Sequence, residues 1–221
     1  MRDRLCARLE KAIRRLGRVR NLDVSAGLLA KGAREDAEAR TALAKYVRRQ
    51  RRAERRRLRR WLSTDRLRRL KKAIDGVLDR RQEGVDRGTP GPADLAPRLT
   101  RILILAGRGD PLDDPRRAHE IRREVRFLRY AHETLQSEYA AAEFEAARRR
   151  FVAMQDAAGR WHDLDVLARL AARARRKGRV GIPLGAFRRR IREEMKEPGA
   201  AFVRKLVALA AMKNLLLGEQ G

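Results

Sequence analysis

Apolar residues recur every three or four positions along almost the whole chain, the spacing of one face of an α-helix. Phe144, Ala147, Phe151, Met154, Ala158 and Trp161 form one such series, and Leu5, Leu9, Ala12 (or Ile13) and Leu16 another. Residues 34–62 read as a long charged helix that stops near Ser63-Thr64-Asp65, where Thr64 can cap the next helix over 65–82. Glycine and proline crowd residues 83–93, which predicts a loop or hinge and the best domain boundary. A helix over 94–106 follows, then a turn at 107–115 and helices over 116–137, 140–160 and 163–177. After a break at 178–183, two last helices are divided at Pro198-Gly199. Ile102 to Leu105 could form a short strand, but no second run pairs with it. The expected fold is all-α.

An internal repeat organises the chain. Gly17-Arg18-Val19-Arg20-Asn21-Leu22-Asp23-Val24 returns 142 residues later as Gly159-Arg160-Trp161-His162-Asp163-Leu164-Asp165-Val166. From 17 to 28, seven of twelve positions are identical in the second copy. So long a period implies two homologous helical bundles rather than a solenoid, with halves 1–82 and 94–221. Asn21 and Asp163 suit a helix N-cap, and Asp23 and Asp165 then fall in the first turn at the positive helix end. Gly17 and Gly159 suit the end of the preceding helix. These six residues therefore predict two matched helix–turn–helix corners. Arg18, Arg20, Arg160 and His162 are not needed for such corners and could pair with Asp23 and Asp165 or point at an anion.

Charge sharpens the picture. The 221 residues hold 56 Lys+Arg against 29 Asp+Glu, a formal net charge of +27. That surplus favours a polyanionic partner. It is nearly all arginine, 47 against nine lysines, and arginine suits two-point binding to phosphate oxygens. Arginine-favouring nucleotide composition would explain the ratio of Arg to Lys but not the net charge. Cys6 is the only cysteine, so no intrachain disulfide can form. Met1 to Lys11 contain no apolar run of a signal peptide, and the longest apolar run, Leu206 to Met212, is too short to span a bilayer. These features predict a soluble cytoplasmic protein.

Part of the charge is sorted. At about 100° per residue, His119, Arg122, Arg123, Arg126 and Arg129 share an arc of roughly 120°. Ile121, Val125, Leu128 and Leu135 lie on a separate arc, and Glu120 and Glu124 fall outside the basic one. Such a stripe presents cations at a pitch that a chain of phosphates can follow, whereas an ordinary solvated helix face mixes both signs. Arg48 to Arg60 hold nine arginines in thirteen positions, but these surround their helix and signal only a nonspecific polyanion patch. His132 lies off the stripe and reads as a packing or surface residue.

The string His119-x-x-Arg122-x-x-x-Arg126-x-Leu128-Arg129-Tyr130, followed by Gln155-x-x-x-Gly159-x-x-His162-Asp163-Leu164-Asp165-Val166, resembles the second half of the CHAD domain, the conserved-histidine α-helical domain. Gly17 to Val24 resemble its counterpart in the first half. The resemblance covers nearly the whole chain. It implies two pseudo-symmetric bundles packed side by side, binding of inorganic polyphosphate in a basic central groove, and no catalysis. Under it, His119, Arg122, Arg123, Arg126, Arg129 and Tyr130 would line one wall, and Arg18, Arg20, Arg160 and His162 would approach from the corners. A location at polyphosphate granules in the cytoplasm would follow. Members usually begin with a helix patterned like the one at His119. The 142-residue offset puts that helix before Met1, so the first bundle is expected to be truncated, with an apolar groove open beside 2–16 and 34–60. Arg20 also stands where the second copy has His162, and Phe127 replaces a residue often basic in the family.

Two other functions compete. Nonspecific nucleic-acid binding draws on the same charge, but no recognition motif is present and few aromatics are available to stack on bases. A metal-dependent phosphohydrolase-type site would need His119, His162, Asp163 and Asp165. Three histidines give few ligands, and Arg20 in place of His162 argues against a metal, because arginine can replace histidine as a cationic donor but not as a ligand. No cofactor motif is present.

Overall fold

The computed structural model describes residues 2–31, 34–82 and 95–210, and among these every regular element is helical. In chain order the helices are α1 (Arg2–Lys31), α2 (Ala37–Trp61), α3 (Thr64–Gln82), α4 (Ala96–Ala106), α5 (Pro115–Thr134), α6 (Ala141–Arg176) and α7 (Gly185–Ala210). The all-α expectation holds. Ile102 to Leu105 belong to α4, where Ile102 and Leu105 are buried one turn apart. The expected hinge at 83–93 lies outside the described residues.

Local chemistry sets several helix ends. Asp114 caps α5 by accepting the Arg116 backbone N–H at 2.8 Å, and Pro115 supplies a first residue with no N–H to satisfy. At α3 the capping oxygen comes from Ser63, which accepts the Arg66 N–H at 3.4 Å, and the expected cap Thr64 is already the first helical residue. At the end of α6, Gly178 turns left-handed at φ +56°. Its N–H reaches the Arg175 carbonyl and that of Arg179 reaches Ala174, a Schellman end at the predicted break.

The chain folds into two compact units. The first comprises Met1–Gly88 with Val166–Arg190, and the second Thr89–Asp165 with Ile191–Gly221. Thus α6 gives the second unit its residues up to Asp165 and the first unit those from Val166 onward, and α7 is divided at Ile191. In the first unit α1 packs along α2. Leu5, Ala12, Val19 and Leu22 of α1 and Leu43, Tyr46 and Val47 of α2 are buried, whereas Ile13 and Leu16 face solvent. Arg190 of α7 closes on Glu35 at 2.5 Å and Asp36 at 3.4 Å. In the second unit one core joins Leu99 and Ile102, Ile121, Val125 and Leu128, Phe151, Met154 and Ala158, and Phe202 and Leu206. Each fully buried phenylalanine or leucine there is worth about 1.5–3 kcal/mol relative to exposure.

Three expectations of breaks are corrected. The repeat segments are not corners. Gly17 to Val24 run through the middle of α1, and Gly159 to Val166 through the middle of α6. Neither Gly17 nor Gly159 takes a positive φ. A mid-helix glycine costs only about 1 kcal/mol, which packing on both sides outweighs. Helices expected at 140–160 and 163–177 are therefore one. Likewise α7 passes through Pro198 unbroken. Its neighbour Gly199 is buried because Leu112 and Trp161 press on it: an added Cβ would stand 2.7 Å from Leu112 Cδ1 and 3.2 Å from Trp161 Cδ1. Tertiary contact there overrides the proline's local preference.

Candidate functional site

The basic stripe is a physical face of α5. The helix buries Ala118, Ile121, Val125, Leu128 and His132, and the stripe lies on the neighbouring arc. His119 and Arg123 are exposed, and Arg122, Arg126 and Arg129 are partly so. From His119 to Arg129 it extends about 15 Å at 1.5 Å per residue. Arg129 lies 4.6 Å over the Tyr130 ring and 3.3 Å from Glu133.

Of the three carboxylates on α5, Glu133 pairs with the stripe at Arg129, and Glu120 and Glu124 are engaged by α4. Glu124, 5% exposed, accepts from Arg98 of α4 at 2.7 Å and lies 3.6 Å from Arg101. Glu120 accepts from the same Arg101. Arg98 also covers Phe127, 4.1 Å from its ring centroid. This α4–α5 clamp was missed in the sequence. Its signal is present as two arginines three apart facing two glutamates four apart, but reading it requires knowing that α4 and α5 are neighbours.

Next to the stripe, α6 contributes His162. Its ring centroid is 5.4 Å from that of His119, with the planes tilted by 36°. His162 is 7% exposed, while Arg160, two residues earlier, is exposed. The second unit thus brings together His119, the arginines of α5, Tyr130 and His162, with Arg160 on the same segment of α6. Among the described residues no group of three or more His, Cys, Asp or Glu side chains could hold a metal ion.

Arg18 and Arg20 belong to the first unit. Arg18 donates through Nε to Glu54 of α2 at 3.2 Å, and its side chain is half exposed. Burial pushes the Glu54 carboxyl up, but hydrogen bonds from Arg57 and Arg18 outweigh it and hold the group below its ordinary range. Arg20 is exposed. Asp23, expected as a first-turn dipole partner, instead accepts from Arg51 and from Arg55, the latter at 3.1 Å. Asn21 is not a cap either, and its carbonyl accepts the Ser25 hydroxyl at 2.8 Å. The corner roles of Asp163 and Asp165 fail for the same reason, since both lie inside α6. Three members of the Arg48–Arg60 run thus have acidic partners, and the remaining six, Arg48, Arg49, Arg52, Arg56, Arg59 and Arg60, are exposed.

No helix among the described residues is long and apolar enough to cross a membrane. No curated protein and no solved structure matches the chain. The family model of the CHAD domain matches residues 2–172.

Proposed function

We propose, from the premise that the chain belongs to the CHAD domain family, that it binds inorganic polyphosphate through the α5 stripe and performs no chemistry on it. The family is associated in general terms with polyphosphate binding. The observation that carries the reading to these residues is the separation of charge on α5. Arg122, Arg123, Arg126 and Arg129 stand on one face with His119, while Glu120 and Glu124 are taken up by Arg98 and Arg101 and Glu133 pairs with Arg129 at the end of the stripe. A phosphate chain laid along the stripe would meet arginines that, three or four positions apart, have Cβ atoms about 5–6 Å from each other. Each can make paired, charge-assisted hydrogen bonds to phosphate oxygens. His119 and His162 would add positive charge when protonated, Tyr130 a hydroxyl donor, and Arg160 a further cation. The cytoplasm, where polyphosphate can collect in granules, is the proposed location.

The competing reading is nonspecific nucleic-acid binding, which the exposed arginines of α2 favour. A competition assay separates them. Labelled long-chain polyphosphate and labelled duplex DNA are each displaced by the other at matched phosphate concentration. Polyphosphate is expected to displace DNA at far lower phosphate concentration than the reverse. Equal displacement defeats the polyphosphate reading.

A further inference from the structure

The first unit carries an apolar groove unlike the stripe. Where α1 meets the α2–α3 junction, a groove of about 330 Å³ is floored by Trp61, Leu62, Leu67 and Leu70. Leu67 is 48% exposed, a large apolar side chain facing water on a highly charged protein. Arg8 and Lys11 of α1 and Arg66 and Arg69 of α3 complete the lining, which contains no carboxylate. The nearby acids are paired: Glu10 with Arg14 at 3.1 Å and Asp65 with Arg68 at 3.3 Å. Two guanidiniums lie against the Trp61 ring, Arg15 at 5.4 Å and Arg66 at 5.7 Å from its centroid.

We infer that this groove docks an acidic amphipathic helix of a partner protein. An apolar floor between two helices takes the apolar stripe of a third, with anchors at i, i+3 or i+4 and i+7. A rim of four cations selects carboxylates on the flanks of that stripe and rejects basic segments. A polyphosphate chain would use the rim but leave Trp61, Leu62 and Leu67 uncovered. A second copy of this chain, with a net charge of +27, offers the wrong sign. The inference does not rest on polyphosphate binding.

The probe is a labelled synthetic helix with leucines on one face and glutamates on the other, titrated with the full chain by fluorescence anisotropy near physiological salt. Two control peptides are used: the same residues scrambled, and a version with lysine for glutamate. The patterned acidic peptide is expected to bind at least about tenfold more tightly than either control. Leu67→Glu, and separately Arg66→Glu with Arg69→Glu, are expected to weaken it about tenfold, and Leu67→Glu to change polyphosphate affinity by no more than a few-fold. Leu67 is exposed, so its replacement does not touch the core. Equal binding of patterned and scrambled peptides would overturn the inference by reducing it to bulk charge. So would self-association of the chain that Leu67→Glu abolishes, because a second copy would then be the occupant.

Discussion

The imidazole of His119, in the second turn of α5, lies 5.4 Å from that of His162, in the middle of α6. Residues 43 apart in sequence thus meet beside the arginine stripe, as neither helix pattern alone predicts. A polyanion bound there favours the imidazolium form of both rings. Affinity for polyphosphate is therefore expected to rise between pH 8 and pH 5.5, by about tenfold at low salt. Replacing both histidines with alanine should flatten the profile. Wild-type affinity that does not change over this range would remove the histidines from the site.

Arginine position, rather than total charge, should set affinity. Arg122→Glu with Arg126→Glu removes two charges from the stripe and installs two opposing ones. Arg56→Glu with Arg57→Glu makes the same net change on α2, where Arg57 already serves Glu54 at 2.5 Å. Isothermal titration should find the α5 pair weaker by about 10- to 100-fold and the α2 pair by only a few-fold. The salt slope should fall by about two for the α5 pair, by analogy with nucleic acids. The opposite order would move the binding surface to α2.

Periodicity carried most of the fold because buried positions such as Phe151, Met154 and Ala158 recur at helical spacing whatever their partners. The stripe was legible for the same reason, since residues on one helix have fixed angles to each other. The false corners show the limit. Asn21, Asp163 and the glycines have the right chemistry for helix ends, but cap preference is worth about 1 kcal/mol and yields to packing. The partners of Glu124, Asp23 and Arg18 lie 26 to 36 residues away and on other helices. Nothing local to those residues encodes that proximity.

The glycines offer a direct test of the continuous helices. At Gly17 and Gly159 an added Cβ meets nothing within 4 Å. Alanine at either site should stabilise the protein by about 0.5–1 kcal/mol through lower unfolded-state entropy and better helix propensity. At Gly199 the same substitution drives Cβ into Leu112 and Trp161. It should destabilise by about 1–3 kcal/mol despite the propensity gain. Denaturant melts of the three variants check the contrast. Destabilisation by Gly17→Ala would mean that a left-handed glycine, and hence a break, exists there.

His132 should give stability a pH dependence of its own. It is 0% exposed, with its ring 4.7 Å from Tyr139, 4.8 Å from and stacked on Phe144, and 5.5 Å from Phe151. Neither ring nitrogen has a hydrogen-bond partner among the described residues. Burial holds the imidazole below its ordinary value of 6.5, against a smaller opposing pull from Glu133. The folded state therefore disfavours the proton that the unfolded chain takes up. Stability is full above pH 6.5 and falls as pH drops below it, down to the folded-state value, at no more than about 1.4 kcal/mol per pH unit. Glu54, held below 4.5, has the same sign of dependence, but its contribution is lost only as pH falls below that value. His132→Leu fills the site without a titrating group. It should match or exceed wild-type stability at pH 7.5 and lose the slope just below pH 6.5, as read from urea midpoints at half-unit steps. A variant that keeps the wild-type slope would assign the dependence to other groups. A variant much less stable at pH 7.5 would mean that the neutral imidazole makes a contact leucine cannot replace.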